Sequence, residues 1–576
     1  MGPSIILKDA FKTYTEDQDK IIAPEDTLKK VKQRFAQLDL KILDKAVRID
    51  NGRLDIPVYF SVCGEDAARL TGTKKQMGKG ATPIQAETSA VMELVERFSF
   101  YHFAGNAQNF VIDTFRNLKD PAISFDLIAK SVHDASDDLQ KTRDIFSDIP
   151  MRWAWGFNMT TGQAMRIPFD WFFAINEFNG TSAGNCQEEA LCQGICEIVE
   201  RHVSAIVCRE KIRVAAIRPE SATDPATIEM LRKYQANGIQ LFLSDFTLDM
   251  GIPTVGALAY DPSTFPEKSE IVWTAGTTPD PQKALSRALS ETAQLAGDFN
   301  SRSNYVASGL PKFTALEDAG YITHPDTFVD ISKLPDISSS NIKTEVENCL
   351  SRLSHKGFEA ITINTTHPQL SLPAYYSVIP GAHFRERAAG TSVGMFSCKL
   401  IVEKYPAETA LQKLIQIDKA LPGRYYVQFY LGTCHLALDD PKTAYSHFAA
   451  ALDLKPDPQD VPSIYSYMGV CLKDLGDYRE ALTVLKKGEA LDQERTDIYN
   501  LMGFCWFMLK QHEEAIACFQ QVIRLNPSSA IDYANVASNY RDMGDNANAI
   551  AYYRMALDID PGIEFARINL EKLMKS

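Results

Sequence analysis

In the first two thirds of the chain, the hydrophobic residues follow two patterns, one typical of strands and one typical of helices. Short apolar runs predict β-strands, at 54–62, 251–260, 358–365 and 374–381. Apolar residues that recur every three or four positions predict helices, at 27–38, 83–103, 187–208 and 281–296. Because no Gly/Ser-rich linker interrupts this region, we predict one α/β domain over residues 10–405.

The last third of the chain is an internal repeat. Small residues recur at Gly432, Gly469, Gly503 and Ala537, at spacings of 37, 34 and 34 positions. Sixteen positions after each of them comes a large residue, namely Phe448, Leu485, Phe519 or Tyr553. This pattern resembles the tetratricopeptide repeat, in which the small residue lets two helices approach closely and large side chains fill the gaps.

We therefore predict an all-α tetratricopeptide-repeat domain over 406–576, with about four repeats within 422–570 and a leading helix at 406–420. The first spacing exceeds the others by three positions, which indicates an insertion near Asp457–Gln459 in a loop between repeats.

Two helices of the first domain carry polar stripes on otherwise apolar surfaces. Within an arc of about 120°, the helix at 187–208 and its lead-in present Asn185, Glu189, Gln193, Glu197 and Glu200. On the helix at 83–103, one face presents Ser89, Glu93 and Glu96. Both helices contain the pattern E-x-x-E-R, which ends at Arg97 and at Arg201.

Such a stripe is usually a solvated face, but lysines are lacking at the compensating positions and apolar residues flank the glutamates. At ~5 Å and an effective dielectric constant of ~20, each pair of like charges would cost about 3 kcal/mol. Raised pKa values or a divalent cation would relieve this repulsion. Oxygen ligands favour Mg²⁺, which usually accompanies phosphates, and Lys79 between two glycines adds a mobile cation. The residues alone thus predict a Mg²⁺-dependent enzyme that uses ATP.

The net charge of −14 argues against broad binding to nucleic acid or to anionic membranes. No apolar run approaches the roughly 18 residues of a membrane span, and the amino terminus lacks a secretory signal pattern, so we expect a cytoplasmic protein. The eleven cysteines include no CxxC pair. A metal site is suggested by Cys186, Cys192 and Cys196, but the sequence contains no recognisable second half of a zinc site. We therefore expect these cysteines to be small buried side chains of the core.

The striped segments form two longer motifs. GKGAT and S-A-x-x-E-x-x-E-R-x-S lie within 78–99, and N-G-x-S-A-G-N-x-x-x-E-A-x-x-Q-G-x-x-E-x-x-E-R covers 179–201. These motifs closely resemble the YcaO family, and YTEDQDKIIAPEDTLKKV (14–31) is similar to its amino-terminal segment. The resemblance covers roughly residues 10–400.

The resemblance implies an ATP and Mg²⁺ pocket. Contacts to the nucleotide or its phosphates are implied for Lys20, Thr27 and Arg287, and polar pocket contacts for Ser89, Ser182, Asn185 and Gln193. Five glutamates are implied to bind magnesium ions or to orient the waters of these ions, namely Glu93, Glu96, Glu189, Glu197 and Glu200. The resemblance does not decide which of these carboxylates bind the metal directly. Arg97 and Arg201 are implied to brace these carboxylates or to meet phosphate.

The resemblance also implies an activity, the activation of a peptide or protein backbone amide by phosphorylation. When a neighbouring side chain is the nucleophile, the product is an azoline. When external sulfide is the nucleophile, the product is a thioamide. Because the chain lacks a proline-rich tail and an obvious leader-binding domain before Lys20, we expect thioamide formation ahead of azoline formation. Two alternatives stay open, namely an accessory factor for ribosomal protein methylthiolation and a non-catalytic repeat scaffold.

The repeats are expected to bind a peptide, a protein substrate or a sulfur-delivery partner similar to TfuA. A homodimer contact or a stabilising cap is nearly as well supported.

Overall fold

The chain folds into two compact units. The computed structural model describes residues 2–38, 40–73, 75–302, 305, 310–384 and 391–575. The first unit comprises the described residues of 1–134, 150–303 and 307–389, and the second comprises those of 135–149, 304–306 and 390–576. Residues 391–405, which the sequence places in the first domain, thus lie in the second unit, and the domain limits 10–405 and 406–576 stay a prediction.

Within the described residues, the strands lie in the first unit and form three sheets. In chain order they are β1 (Leu43–Arg48), β2 (Val58–Cys63), β3 (Lys75–Lys79), β4 (Phe110–Asp113), β5 (Met151–Asn158), β6 (Gln163–Pro168), β7 (Thr181–Ala183), β8 (Ala216–Ile217), β9 (Gln240–Asp245), β10 (Thr254–Tyr260), β11 (Val272–Thr277), β12 (Phe328–Val329), β13 (Ile361–Asn364) and β14 (Ala374–Val378). The sheet orders are β1-β2-β3, β11-β10-β9-β8-β12 and β4-β5-β13-β14-β7, with β6 also paired to β5. Neighbouring strands are antiparallel, except that β12 runs parallel to β8.

Helices occur in both units. In chain order they are α1 (Pro24–Ala36), α2 (Glu65–Thr71), α3 (Pro83–Gly105), α4 (Phe125–Ser131), α5 (Leu139–Ser147), α6 (Phe169–Asn176), α7 (Gln187–Glu210), α8 (Pro225–Ala236), α9 (Pro281–Ala296), α10 (Gly320–Thr323), α11 (Ile342–His355), α12 (Val393–Lys404), α13 (Ala407–Ala420), α14 (Tyr425–Ala437), α15 (Pro441–Asp453), α16 (Val461–Asp474), α17 (Tyr478–Leu491), α18 (Thr496–Met508), α19 (His512–Leu525), α20 (Ala530–Asp542), α21 (Asn546–Ile559) and α22 (Glu564–Lys575). Helices α5 and α12–α22 belong to the second unit. Among the described residues, no helix has the length and apolar character needed to cross a membrane.

Local sequence explains where the long helices and the strands begin. Helix α3 starts with Pro83, and the Gln85 side-chain oxygen accepts a hydrogen bond from the Thr82 backbone N–H at 3.1 Å. The predicted strand at 54–62 is confirmed only from Val58 onward. Asp55 has a φ of 52°, outside the extended region, and Pro57 has no N–H to donate.

Two glycines let strands lie directly on helices at the centre of the first unit. A Cβ atom on Gly78 of β3 would come within 2.0 Å of the backbone nitrogen of Ala90 in α3. A Cβ atom on Gly276 of β11 would come within 2.3 Å of the carbonyl oxygen of Ala284 in α9. Any larger residue would push these elements apart, so the two glycines fix the distance of β3 from α3 and that of β11 from α9.

The second unit confirms the all-α repeat prediction. Helices α14–α21 form four successive helix pairs, and the small residue of one helix faces the large residue of the next. A Cβ atom on Gly503 would come within 2.8 Å of the Phe519 ring. Residues 454–460 separate α15 from α16, whereas 492–495 and 526–529 separate the following pairs. The predicted three-residue insertion therefore lies in a loop between repeats.

The contact between Gly503 and Phe519 predicts a compensating pair of substitutions. Gly503→Leu should cost about 1–3 kcal/mol by overpacking, and Phe519→Ala about 3–5 kcal/mol by leaving a cavity. The double variant should cost clearly less than the sum, because the leucine occupies the vacated space. Hydrogen exchange of peptides from α18 and α19 in the full chain measures these local costs. Gln520→Ala, at the exposed neighbouring position, is the control, and strictly additive costs would contradict the proposed contact.

Candidate functional site

One cavity in the first unit gathers most of the predicted site residues. Those that line it are Lys20, Thr27, Lys79, Ser89, Glu93, Glu96, Arg97, Asn185, Glu189, Gln193, Glu197, Arg201 and Arg287. They come from the amino-terminal segment, α1, β3, α3, α7 with its lead-in, and α9. The cavity has a volume of about 360 Å³. This lies within the range of roughly 300–1,000 Å³ that is usual for ligand pockets.

Ser182 and Glu200 lie behind the cavity wall. Glu200 is 1% exposed; its Oε2 accepts a hydrogen bond from the Thr277 backbone N–H (3.0 Å) and lies 3.5 Å from Arg287 Nε. Ser182 in β7 is fully buried. Glu200 thus holds Arg287 and the end of β11 in place. The predicted roles of Glu200 at magnesium and of Ser182 at the nucleotide stay predictions.

Three glutamates that line the cavity are called the carboxylate cluster, namely Glu93 and Glu96 of α3 and Glu197 of α7. Arg97 lies 3.7 Å from Glu93 and 3.4 Å from Glu96. The Thr181 hydroxyl donates to Glu96 at 2.6 Å, and the Gly180 N–H donates to Glu197 at 3.2 Å. The polar stripes of the two helices therefore face the same space, as the sequence predicts.

Two members of the carboxylate cluster are half-buried and have raised pKa values. Burial raises the pKa of Glu96 to about 7, and the charges of Glu197 and Glu93 add to this shift while Arg97 opposes it. Burial also raises the pKa of Glu93, against the charges of Arg97 and Lys79. Reduced hydration and mutual repulsion are the conditions under which a divalent cation binds to carboxylates.

Three cations that line the same cavity are called the basic cluster, namely Lys79, Arg201 and Arg287. Arg201 lies 3.8 Å from Glu197 of the carboxylate cluster. Lys79 pairs with Glu291 at 2.5 Å, and Arg287 donates to the side-chain oxygen of Gln193 at 3.1 Å. Burial acts to raise the pKa of Glu291, but the charges of all three cations outweigh it and lower that pKa. Fixed positive charges at the cavity surface suit a phosphate chain.

Glu189 has a structural task at the start of α7. Its two carboxylate oxygens accept from the backbone N–H groups of Ile21 (2.7 Å) and Asn185 (2.8 Å). Asn185 Nδ2 also donates to the Thr27 hydroxyl at 2.9 Å. Glu189 therefore ties the amino-terminal segment and α1 to the lead-in of α7, and its predicted role at magnesium stays a prediction.

The structure adds two acidic residues to the predicted set. Glu291 of α9 lies in the cavity wall, and its position one turn after Arg287 was visible in the sequence. Asp17 is 3% exposed, accepts from the Ala81 N–H at 3.1 Å and from Gln85, and has a pKa raised by burial to about 6. No sequence pattern identifies Asp17, because it lies in an irregular segment.

Orphaned buried atoms test whether the cavity fits ATP and Mg²⁺. Among the described residues, Asn185 Oδ1 and Arg201 Nε are buried without a hydrogen-bond partner. Buried polar groups in folded proteins are normally paired, so these atoms are available to a ligand or its waters. The oxygen donors of the carboxylate cluster match the preference of Mg²⁺, and the basic cluster matches phosphate. The residues present therefore fit both groups.

Comparison with protein families agrees with this geometry. The model described as YcaO cyclodehydratase, ATP- and Mg²⁺-binding, matches residues 77–383, more than half of the 576-residue chain. Tetratricopeptide-repeat models match residues 496–529 and 533–563. These matches confirm the family, the fold class and the cofactors that the sequence predicts.

Similar proteins come from several organisms. An uncharacterized protein of Methanothermobacter thermautotrophicus is 25% identical over 62% of this chain and 94% of the relative. An uncharacterized protein in the tfuA 3′ region of Rhizobium leguminosarum is 23% identical over 65% of this chain and 91% of the relative. The ribosomal protein S12 methylthiotransferase accessory factor YcaO of Escherichia coli is 27% identical over half of each chain. A solved heterocyclase in complex with substrate and cofactor shares the fold, with a TM-score of 0.53, 23% identity, and coverage of 66% of this chain and 55% of that chain.

The raised pKa of Glu96 predicts a pH-dependent effect of Glu96→Gln. Because the folded state holds the Glu96 proton more tightly than the unfolded chain, this stabilisation is present below pH 4.5 and is lost as the pH rises through about 7. Without Mg²⁺ at pH 8, the variant should therefore be more stable than the wild type, by up to about 3 kcal/mol. At pH 5 the difference should be much smaller.

Thermal unfolding at both pH values checks this, with Glu87→Gln on the same helix as the control. Excess Mg²⁺ should reduce the difference at pH 8, because it stabilises only the intact cluster. A variant that is equally destabilised at both pH values would contradict the raised pKa.

Proposed function

The chain belongs to the YcaO family, and we propose that it uses ATP and Mg²⁺ to activate a backbone amide of a peptide or protein. The observation that carries the proposal is that the carboxylate cluster and the basic cluster line one cavity. Negative charge on the protein would hold the metal ion, and positive charge would hold the phosphates. A repeat scaffold with an inactive enzyme domain has no need of either cluster.

Each cluster has a separate role in this proposal. Glu93, Glu96 and Glu197 would hold Mg²⁺, which when bound offsets the negative charge of the phosphates. The basic cluster would orient the phosphates and stabilise the charge that develops during phosphoryl transfer. At the amino-terminal side of the cavity, the nucleotide would contact Lys20, Thr27 and Asn185.

Amide chemistry explains why such a site is needed. An amide oxygen is a poor leaving group, so a nucleophile that adds to the carbonyl is normally expelled again. Transfer of the γ-phosphoryl group to the carbonyl oxygen allows that oxygen to leave as phosphate. With hydrosulfide as the nucleophile, amide, hydrosulfide and ATP give thioamide, ADP and phosphate. The buried cations can stabilise the oxyanion before it is phosphorylated.

We propose thioamide formation as the leading reaction. The similarity to a protein encoded in a tfuA 3′ region supports this choice, since a neighbouring TfuA-like protein is a candidate for sulfur delivery. Azoline formation by a neighbouring Cys, Ser or Thr side chain of the substrate is the close alternative, because the heterocyclase likeness concerns the fold alone.

A second candidate function is supported by a different similarity. The E. coli relative is named as an accessory factor of ribosomal protein S12 methylthiotransferase, and it is 27% identical over half of each chain. In that case ATP would be used at the same cavity, while another enzyme would carry out the chemistry on the target protein.

The repeats would supply the protein contacts in either case. Tetratricopeptide repeats bind partner segments along their helices, and this array presents Trp506, Lys486 and Arg479 around one groove. We propose that the second unit recruits the substrate or the sulfur-delivery partner. A contact between two copies of the chain is the alternative.

Glu197→Gln tests the use of ATP. The variant keeps the size of the side chain and its acceptor for Gly180 but removes a charge from the carboxylate cluster. We expect the kcat of Mg²⁺-dependent ATP hydrolysis to fall by on the order of 10²–10³, with a smaller loss at high Mg²⁺. Glu210→Gln, at the exposed end of the same helix, should retain wild-type activity. Equal rates in all three proteins would refute the proposed role of the cluster.

Mass spectrometry of candidate targets distinguishes the possible products. In cells that lack this protein, loss of an oxygen-to-sulfur mass gain on a peptide would support thioamidation. Loss of a mark equal to one missing water would support azoline formation, and loss of a methylthio mark would support the accessory role. Complementation with Glu197→Gln should fail to restore the mark, whereas Glu210→Gln should restore it.

A further inference from the structure

Three buried cysteines converge beside the nucleotide cavity. Cys192 and Cys196 lie one turn apart on α7, and Cys349 comes from α11, which packs against α7. Their Sγ atoms all lie within 4.8 Å of one another, and the residues are 8%, 4% and 0% exposed. The sequence showed the first two, but only the fold brings the third to them.

The distances between these sulfurs suit a single ion. Zinc–sulfur bonds measure about 2.3 Å, so three thiolates around one ion lie roughly 3.8–4.0 Å apart. From a spread of 4.8 Å, this geometry requires side-chain movements of only about 1 Å. Among the described residues, this is the one group of His, Cys, Asp and Glu side chains close enough for such a site.

The cluster borders open space as well as packed core. Cys192 and Cys196 line a second, small cavity of about 80 Å³, which they share with Lys20, Gln193 and Arg287 of the nucleotide cavity. An ion held here would keep a fourth coordination position for water or another ligand on the cavity side.

The charge of a bound ion can be balanced at this site. Charged residues of both signs line the second cavity beside Cys192 and Cys196, among them Arg287 and Glu345. Three thiolates around a divalent ion leave one net negative charge, which Arg287 opposes.

We propose that Cys192, Cys196 and Cys349 form a binding site for a thiophilic d¹⁰ cation, Zn²⁺ or Cu⁺, beside the nucleotide cavity. Soft thiolate ligands select these ions over Mg²⁺, so this site and the carboxylate cluster would hold different metals. The proposal is independent of which amide the enzyme modifies. Since binding displaces thiol protons, the affinity should rise with pH.

A Co²⁺ titration of the metal-free full chain, in excess Mg²⁺ to occupy the carboxylate cluster, tests the site. We expect the sulfur-to-cobalt charge-transfer bands that oxygen ligands do not produce, and their loss when Zn²⁺ or Cu⁺ is added identifies the preferred ion. Cys192→Ser and Cys349→Ser should each weaken binding by about a hundredfold or more. Cys208→Ser, near the end of α7 and outside the trio, should bind like the wild type.

Alkylation of the wild-type protein gives a measurement that requires no variant. Zn²⁺ should protect Cys192, Cys196 and Cys349 from a thiol reagent and leave Cys186 and Cys208 unprotected. Absence of charge-transfer bands, equal binding in Cys349→Ser, or equal alkylation with and without the metal would overturn the proposal. Formation of a disulfide between α7 and α11 in place of metal binding would overturn it as well.

Discussion

Repulsion among half-buried carboxylates is the constraint on which the first unit depends. Glu93 and Glu96 of α3 line one cavity with Glu197 of α7, while Arg97 lies within 3.7 Å of the first two and Arg201 lies 3.8 Å from Glu197. Because α3 and α7 both pack on β7 and β14 and bury their other faces in the core, these groups are brought together. The fold thus stores an unfavourable interaction that a bound cation relieves, and this couples the stability of the empty protein to its binding function.

Close backbone contact makes that arrangement precise. Gly78 sets β3 against α3, and Gly276 sets β11 against α9, so Lys79 and Arg287 reach the cavity from fixed positions. Residues behind the wall complete the support. Glu200 holds Arg287 and the end of β11, and Glu189 anchors the amino-terminal segment to the lead-in of α7. A glutamate stripe on one helix therefore serves two purposes, since some members face the ligand space and others hold the walls.

Helix α7 connects the proposed sites of the first unit. One face carries Gln193 and Glu197 into the nucleotide cavity, while Cys192 and Cys196 meet Cys349 of α11. Oxygen donors and sulfur donors lie within a few residues of each other, yet they are separated in space by the helical period. Hard and soft cations would therefore be sorted along one helix by ligand type alone.

The sequence by itself determined the repeat array, the long helices and the two polar stripes. These features follow from short-range periodicity, which the chain reports directly: the stripe from Asn185 to Glu200 and the spacing of Gly503 from Phe519 needed no tertiary information. The sequence could not distinguish the position of Glu197, which lines the cavity, from that of Glu200, which lies behind the wall, because both residues occupy one helical face. The pairing of Lys79 with Glu291, the burial of Asp17 and the arrival of Cys349 beside Cys192 were decided only by the tertiary structure. The physical reason is that each joins residues far apart in the chain, so its energy depends on which helix packs against which strand.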